Sequence, residues 1–212
     1  MTNDIFVFSV VGGTRYIREW LDGVKNLGSC KPYIIKDEDR SEPLPDDLDV
    51  VVKTYRSGKP WKSYERRHEE YVSDFSIALG FFTGLDNFMA LPYTHAVHTD
   101  SDIIIDSKMA NLIAVTNWDY LQITTPVIPR EQFDDPRALP MRFWDSTNLG
   151  ISKKLITDKL SLFWELIKDP YPVDIKIHSI IRSLKPNNCK TIEYQYLAHY
   201  IRGKKVFLYE AV

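Results

Sequence analysis

Apolar and polar positions follow two different periods in the first half of the chain. Ile5-Phe6-Val7-Phe8-Ser9-Val10-Val11 is nearly continuous in β-branched and aromatic residues, which predicts a strand buried on both faces. Gly12-Gly13 ends it, and Thr14 fits the N-cap of a helix over 15–27 with Ile17, Trp20, Leu21 and Val24 on one stripe. Gly28 closes that helix. Strands are predicted over 32–37 and 50–55, joined by an acidic, proline-containing loop. A long helix over 63–85 follows, its buried face formed by Tyr71, Phe75, Ala78, Leu79 and Phe82. The run from Thr94 to Ile105 is strand-like, delivers Asp100 and Asp102, and then turns purely aliphatic. Further elements are a helix over 108–115, a strand over 120–124, a short strand or turn over 147–152, helices over 153–167, 174–184 and 191–201, and a strand over 206–209. The helix over 153–167 carries Leu155, Ile156, Leu160, Phe163, Trp164 and Ile167 as its apolar stripe. Residues 125–140 contain Pro126, Pro129, Pro136 and Pro140 and read as a long, lid-like loop.

Strand–helix alternation predicts an α/β fold, Rossmann-like, with a central, mostly parallel sheet flanked by helices in one domain spanning 1–212. Ligands of such sheets bind beyond the carboxyl ends of strands. Gly12-Gly13 and Asp100-Ser101-Asp102 both follow strands and so belong at that edge.

Composition narrows the classes. With 44% hydrophobic and 26% charged residues, the chain is an ordinary globular protein, and a net charge of −2 argues against a general nucleic-acid-binding face. Cys30 and Cys189 are far apart and form no CxxC pair, so neither a structural zinc site nor a disulfide framework is expected. The apolar run at Ile5 lacks a basic leader and a cleavage pattern. No stretch approaches the roughly 20 apolar residues of a membrane span. The expectation is a cytoplasmic protein, or one attached only peripherally to a membrane. The 12 Tyr and 5 Trp include rings that suit a sugar platform, though core packing accounts for most of them.

Asp100 and Asp102 stand at i and i+2, a spacing that puts both side chains on one face of an extended chain. Two hard oxygen ligands suit Mn²⁺ or Mg²⁺, which keep several waters and take further oxygens from a substrate phosphate. A solvated turn that caps the next helix is the plainer reading. A calcium EF-hand loop would need Gly and Glu where Ile105 and Asn111 stand. A phosphatase of the haloacid-dehalogenase type fits poorly, with Ile104 at its Thr or Val position. His98 shares the parity of the two aspartates, whereas His95 and His98 both also fit packed histidines near the sheet. His178 and His199 are candidates for a third protein ligand.

The strand ending in Asp100-Ser101-Asp102 resembles the DxD motif of GT-A-fold, nucleotide-sugar-dependent glycosyltransferases, in particular small soluble members such as those of microbes and viruses. The resemblance spans about residues 5–150 and implies a nucleotide-binding half (1–106) and an acceptor-side half (107–212). It implies that Asp100 and Asp102 hold the metal and that Ser101 lies at the nucleotide sugar. It also sets Val10, Gly12 and Arg15 near the nucleotide, and Asp37 at its base or ribose. Arg66 and Arg67, with Lys62 behind them, would meet the diphosphate; the plainer reading is a charged helix face. Asn148-Leu149-Gly150 looks like the Asn-x-Gly stretch beside the donor sugar. Asp174 is the preferred catalytic base over Asp145 and Glu193, although Val173 replaces the first member of the family's Glu-Asp pair, which leaves inversion or retention open. The implied partners are a UDP- or GDP-sugar and a glycan, protein or lipid acceptor. A nucleotidyltransferase of similar fold, a phosphohydrolase and a non-catalytic sugar- or nucleotide-binding domain are the alternatives.

Overall fold

The structure is a computed structural model that describes residues 5–27, 31–58, 66–101, 103–124, 148–169, 173–193, 197–201 and 204–207. Asp102, Lys62, Asp145, Cys30 and the segment 125–140 lie outside the described residues.

β1 (Ile5–Val11) is covered on both sides, which is why its sequence is apolar without alternation. Ile5, Val7 and Val11 meet Ile17, Trp20 and Leu21 of α1 (Ile17–Val24) on one face. Phe6 and Phe8 meet Phe81, Leu85 and Phe88 of α2 (Arg66–Ala90) on the other. Full burial of each of these large side chains contributes about 1.5–3 kcal/mol. β2 (Tyr33–Asp37) and β3 (Val51–Tyr55) extend the sheet in parallel on one side of β1. β4 (His95–His98) pairs with β1 in parallel on the other. Then come β7 (Leu149–Ser152), β6 (Tyr120–Thr124) and β8 (Cys189–Glu193), giving a seven-stranded sheet of order β3-β2-β1-β4-β7-β6-β8. Within it only β7 runs antiparallel. The chain steps outward from β1 through β3 and then crosses to β4, so the order reverses between β1 and β4. The crevice beyond their carboxyl ends is the place where an open α/β sheet binds ligands.

A second sheet joins β5 (Ile103–Ile105) to β9 (Leu197–Ile201) and β10 (Lys204–Phe207). The chain thus leaves one sheet at β4 and enters another at β5, with Asp100 between them. α3 (Ser107–Ala114) starts at an Asp106 N-cap, whose Oδ1 accepts from Met109 N–H at 2.8 Å.

Three expectations are corrected. Thr14 is not the N-cap of α1: the helix starts at Ile17 behind Tyr16, and the Thr14 hydroxyl donates to Glu42 at 3.1 Å. The helix over 153–167 is broken into α4 (Lys153–Ile156), a 3-10 turn (Leu160–Phe163) and α5 (Trp164–Lys168). Asp158 takes φ +60° at the break, a conformation Asp tolerates better than most residues. The phase shifts there, so Leu166 is buried while Trp164 is 48% exposed and lies against Phe82. The helix over 191–201 is replaced by β8 and β9, because Thr191 and Ile192 find a parallel partner in β6. The helix over 174–184 matches α6 (Val173–Ser183).

Candidate functional site

A cleft of about 590 Å³ opens at the carboxyl ends of β1, β2 and β3. Its walls include Val10 and the Gly12-Gly13 turn from β1, Arg40 and Ser41 from the segment after β2, Tyr55 from the end of β3, and Ser76 from α2. A chain of hydrogen bonds holds these walls. The Ser41 hydroxyl donates to the Val11 carbonyl at 2.6 Å, and Asp37 N–H donates to Ser41 Oγ at 3.1 Å. Tyr55 donates its hydroxyl to the Ser76 carbonyl at 2.7 Å. Burial pushes the Tyr55 phenol up, so it remains a protonated wall of the cleft. Glu42 braces the glycine turn: its N–H donates to the Gly12 carbonyl at 3.0 Å, and its carboxylate accepts from Thr14 N–H at 3.0 Å.

Asp37 sits beneath this cleft. It is 1% exposed, and its Oδ1 accepts from Asp39 N–H at 3.0 Å and Ser57 N–H at 3.2 Å, while Oδ2 accepts from the Ser76 hydroxyl at 2.7 Å. A buried carboxylate needs such donors. Three donors converge on Asp37, two of them from other segments, which gives it a supporting position beneath the cleft.

The acidic side of the site follows β4. His98, 1% exposed, lies between the rings of Phe8 and Phe81, and its Nε2 accepts from Val10 N–H at 3.2 Å. It therefore ties the end of β4 to the cleft wall. Thr99 N–H donates to the Phe8 carbonyl at 3.2 Å, and its hydroxyl accepts from Trp20 Nε1–H at 2.8 Å. Asp100 N–H donates to Asn148 Oδ1 at 2.7 Å, and Asn148 Nδ2–H donates back to Asp100 Oδ2 at 2.9 Å. The expectation that Asp100 and Asp102 share one face involves Asp102, which lies outside the described residues. The Asp100 carbonyl accepts from Ile103 N–H at 3.1 Å, closing a turn in which Ser101 is half-buried.

The remaining candidates are dispersed. Arg15 is exposed, its guanidinium 5.1 Å from the Tyr16 ring centre. Arg66 and Arg67 open α2, and their side chains lie outside the described atoms. Asp174 is in the first turn of α6, whose Val173 N–H donates to Asp74 Oδ2 at 3.0 Å. α6 leads into the amino end of β8, so its own N-terminus faces the carboxyl edge of the sheet. His178 is fully buried against the Tyr120 hydroxyl, and His95 bonds Thr94 Oγ1 and the Trp118 carbonyl. His199 stands opposite Ile103 in the β5–β9 ladder, one position beyond Asp102 in the chain.

Another cleft, of about 550 Å³, lies at the amino ends of β2 and β3. Arg18 pairs there with Asp47 at 2.7 Å, and Lys31 with Asp49 at 2.9 Å. Its position is opposite the switch point. Sequence reasoning missed Arg40, Ser41, Tyr55 and Ser76. The strand-end rule, applied to β2 and β3 as well as to β1, flags the first three.

No protein-family model matches the chain, and no curated protein sequence does. Among solved structures it is similar to Rv0371c from Mycobacterium tuberculosis H37Rv, with 10% identity and a TM-score of 0.46 over 91% of this chain and 89% of that one. It is likewise similar to Rv0371C in complex with manganese, with 10% identity and a TM-score of 0.47 over 89% of this chain and 86% of that one.

Proposed function

We propose that the protein is a metal-dependent glycosyltransferase that moves a sugar from a UDP- or GDP-sugar to a hydroxyl of a glycan, protein or lipid acceptor. The observation that carries this reading is the meeting of two features at the switch point. A cleft wide enough for a nucleotide adjoins β1, Asp100 follows β4, and the His98–Val10 hydrogen bond of 3.2 Å links the two strand ends.

The oxygen chemistry of the turn fits Mn²⁺ or Mg²⁺, with Asp100 and Asp102 as protein ligands. Such an ion, when bound, neutralises charge developing on the departing diphosphate. Of the two histidines considered as a third ligand, His178 is fully buried against the Tyr120 hydroxyl, which leaves His199, in the strand beside β5. Val10, Gly12 and Tyr55 form an apolar and backbone wall for the nucleoside, and Arg40 adds positive charge beside it. Arg15, Arg66 and Arg67 are further cations for the diphosphate. Ser101 is assigned to the donor. Asp174 is assigned the proton of the acceptor hydroxyl, with inversion or retention left to product analysis. Among the described residues no helix is long and apolar enough to cross a membrane, and we propose that the protein works in the cytoplasm.

Calorimetric titration with UDP and GDP, with and without Mn²⁺, tests this. Mn²⁺-dependent binding is expected, and Asp100→Ala and Asp102→Ala should lose the metal-dependent part while remaining folded. Release of a nucleoside diphosphate on turnover supports sugar transfer, whereas release of pyrophosphate assigns the protein to the nucleotidyltransferases. Binding of neither nucleotide refutes the reading.

A further inference from the structure

We propose that Asn148 is a positioning residue: it fixes the Asp100 carboxylate for a divalent cation and touches neither cation nor donor sugar. This inference rests on the glycosyltransferase reading above, and it moves Asn148 away from the sugar contact that the family resemblance implies.

Asn148 is fully buried, and its amide closes a ring with Asp100. Its oxygen accepts from Asp100 N–H at 2.7 Å and its nitrogen donates to Asp100 Oδ2 at 2.9 Å. A backbone N–H can only donate and a carboxylate can only accept, so the amide has one possible orientation. The main chain of Asn148 is itself fixed. Its carbonyl accepts from Ile123 N–H at 3.3 Å, and the next residue, Leu149, is paired with His98 on one side and Gln122 on the other. Two ladders therefore hold the amide, and the amide holds the carboxylate.

The paired bonds remove rotamer freedom from Asp100 before any ligand arrives, so less entropy is lost on binding. Partners that orient a metal ligand in this way typically change metal affinity by about 10–100-fold.

The test is titration of wild type, Asn148→Ala and Asn148→Asp with Mn²⁺ alone, with bound ion read from the loss of the free-ion electron paramagnetic resonance signal. Thermal unfolding and near-UV circular dichroism are followed in parallel. The expected result is a loss of at least about tenfold in Mn²⁺ affinity for Asn148→Ala. A comparable or larger loss is expected for Asn148→Asp, whose added carboxylate opposes Asp100 Oδ2. Asn148→Asp keeps the side-chain volume and serves as the folded probe if Asn148→Ala is unstable. Unchanged Mn²⁺ affinity in the variants, alongside lowered stability, overturns the inference and leaves the functional reading standing. Tighter Mn²⁺ binding by Asn148→Asp also overturns it, by making position 148 a direct ligand. No Mn²⁺ binding by wild type overturns the inference, and the functional reading falls with it only if UDP and GDP also fail to bind.

Discussion

Gly80 controls the width of the cleft through a contact that it avoids making. It lies in α2 where the helix crosses the ends of β1 and β3, and a Cβ built there falls 2.6 Å from Val10 Cγ1 and 2.7 Å from Tyr55 Oη. Ordinary carbon contacts begin near about 3.5 Å, so Gly80→Ala has to displace Val10, Tyr55 or the helix by about 0.9 Å. Neither side chain yields freely. Val10 is β-branched and stiff at χ1. Tyr55 is held by its bond to the Ser76 carbonyl, and Ser76 in turn holds Asp37. Overpacking of this kind costs about 1–3 kcal/mol, and the gain from Ala over Gly in a helix returns about 1 kcal/mol. The net loss of stability is about 0–2 kcal/mol, which leaves the variant folded.

The damage falls mainly on the cleft. Displacement of two of its walls should weaken UDP or GDP binding by about tenfold, which corresponds to about 1.4 kcal/mol. Gly84→Ala is the control. It lies one turn further along α2, and its Cβ meets the ring of Phe8, which belongs to the core and not to the cleft lining. Its Cβ falls 2.3 Å from Phe8 Cε2, tighter than any contact at Gly80, so it should lose at least as much stability in urea unfolding while losing less nucleotide affinity in calorimetry. If Gly80→Ala binds nucleotide like wild type, the cleft is not the nucleotide site.

Other outcomes follow from the same geometry. Asp37→Ala removes the acceptor of two partly buried N–H groups and of the buried Ser76 hydroxyl, and should cost about 1–3 kcal/mol by urea unfolding; a loss under about 0.5 kcal/mol rejects its supporting role. His199→Ala should weaken Mn²⁺ binding while His178→Ala lowers only stability; the reverse pattern assigns the third ligand to the other histidine. The Arg56 guanidinium beside Glu38, and Arg18 beside Asp47, hold these carboxyls below their ordinary range. Their stabilisation is present above the unfolded carboxylate pKa of about 4 and is lost as pH falls through the lower folded value. The acid-side decline in urea midpoint should therefore be shallower in Arg56→Met and Arg18→Met at low salt, and parallel curves refute the pairing.

What was readable in the sequence follows from how locally each feature is determined. β1 declares itself because both its faces are covered, and α2 because one face must pack over β1. The segment 153–167 keeps a helical spacing of apolar residues, but Thr157 and Asp158 end the helix by local backbone preference, and the stripe loses phase there. The segment 191–201 is decided by its partners: β6 recruits Thr191 and Ile192, and β5 recruits the strand from Leu197. At the site, Gly12 and Asp100 are visible as strand ends. The inward turn of Asp37 is not, because it depends on Ser57 and Ser76, which arrive from β3 and α2.

Asp-x-Asp alone is weak evidence, because a local capping turn also uses it. The residues that give the turn its geometry are remote in the chain: Asn148 bonds Asp100 from 48 positions away. The turn begins in one sheet and ends in another, so it is held at Asp100 by the residue preceding β7 and, just beyond it, at β5 by β9. A solvated capping turn needs no such support, since its hydrogen bonds are local and water completes the rest. Burying an asparagine completely in order to orient one carboxylate carries a desolvation cost that a surface turn never meets. That cost is understandable if the carboxylate has to be aimed. Loss of Mn²⁺ affinity on removal of the Asn148 amide, with the fold intact, is the measurement that separates an aimed carboxylate from a capping one.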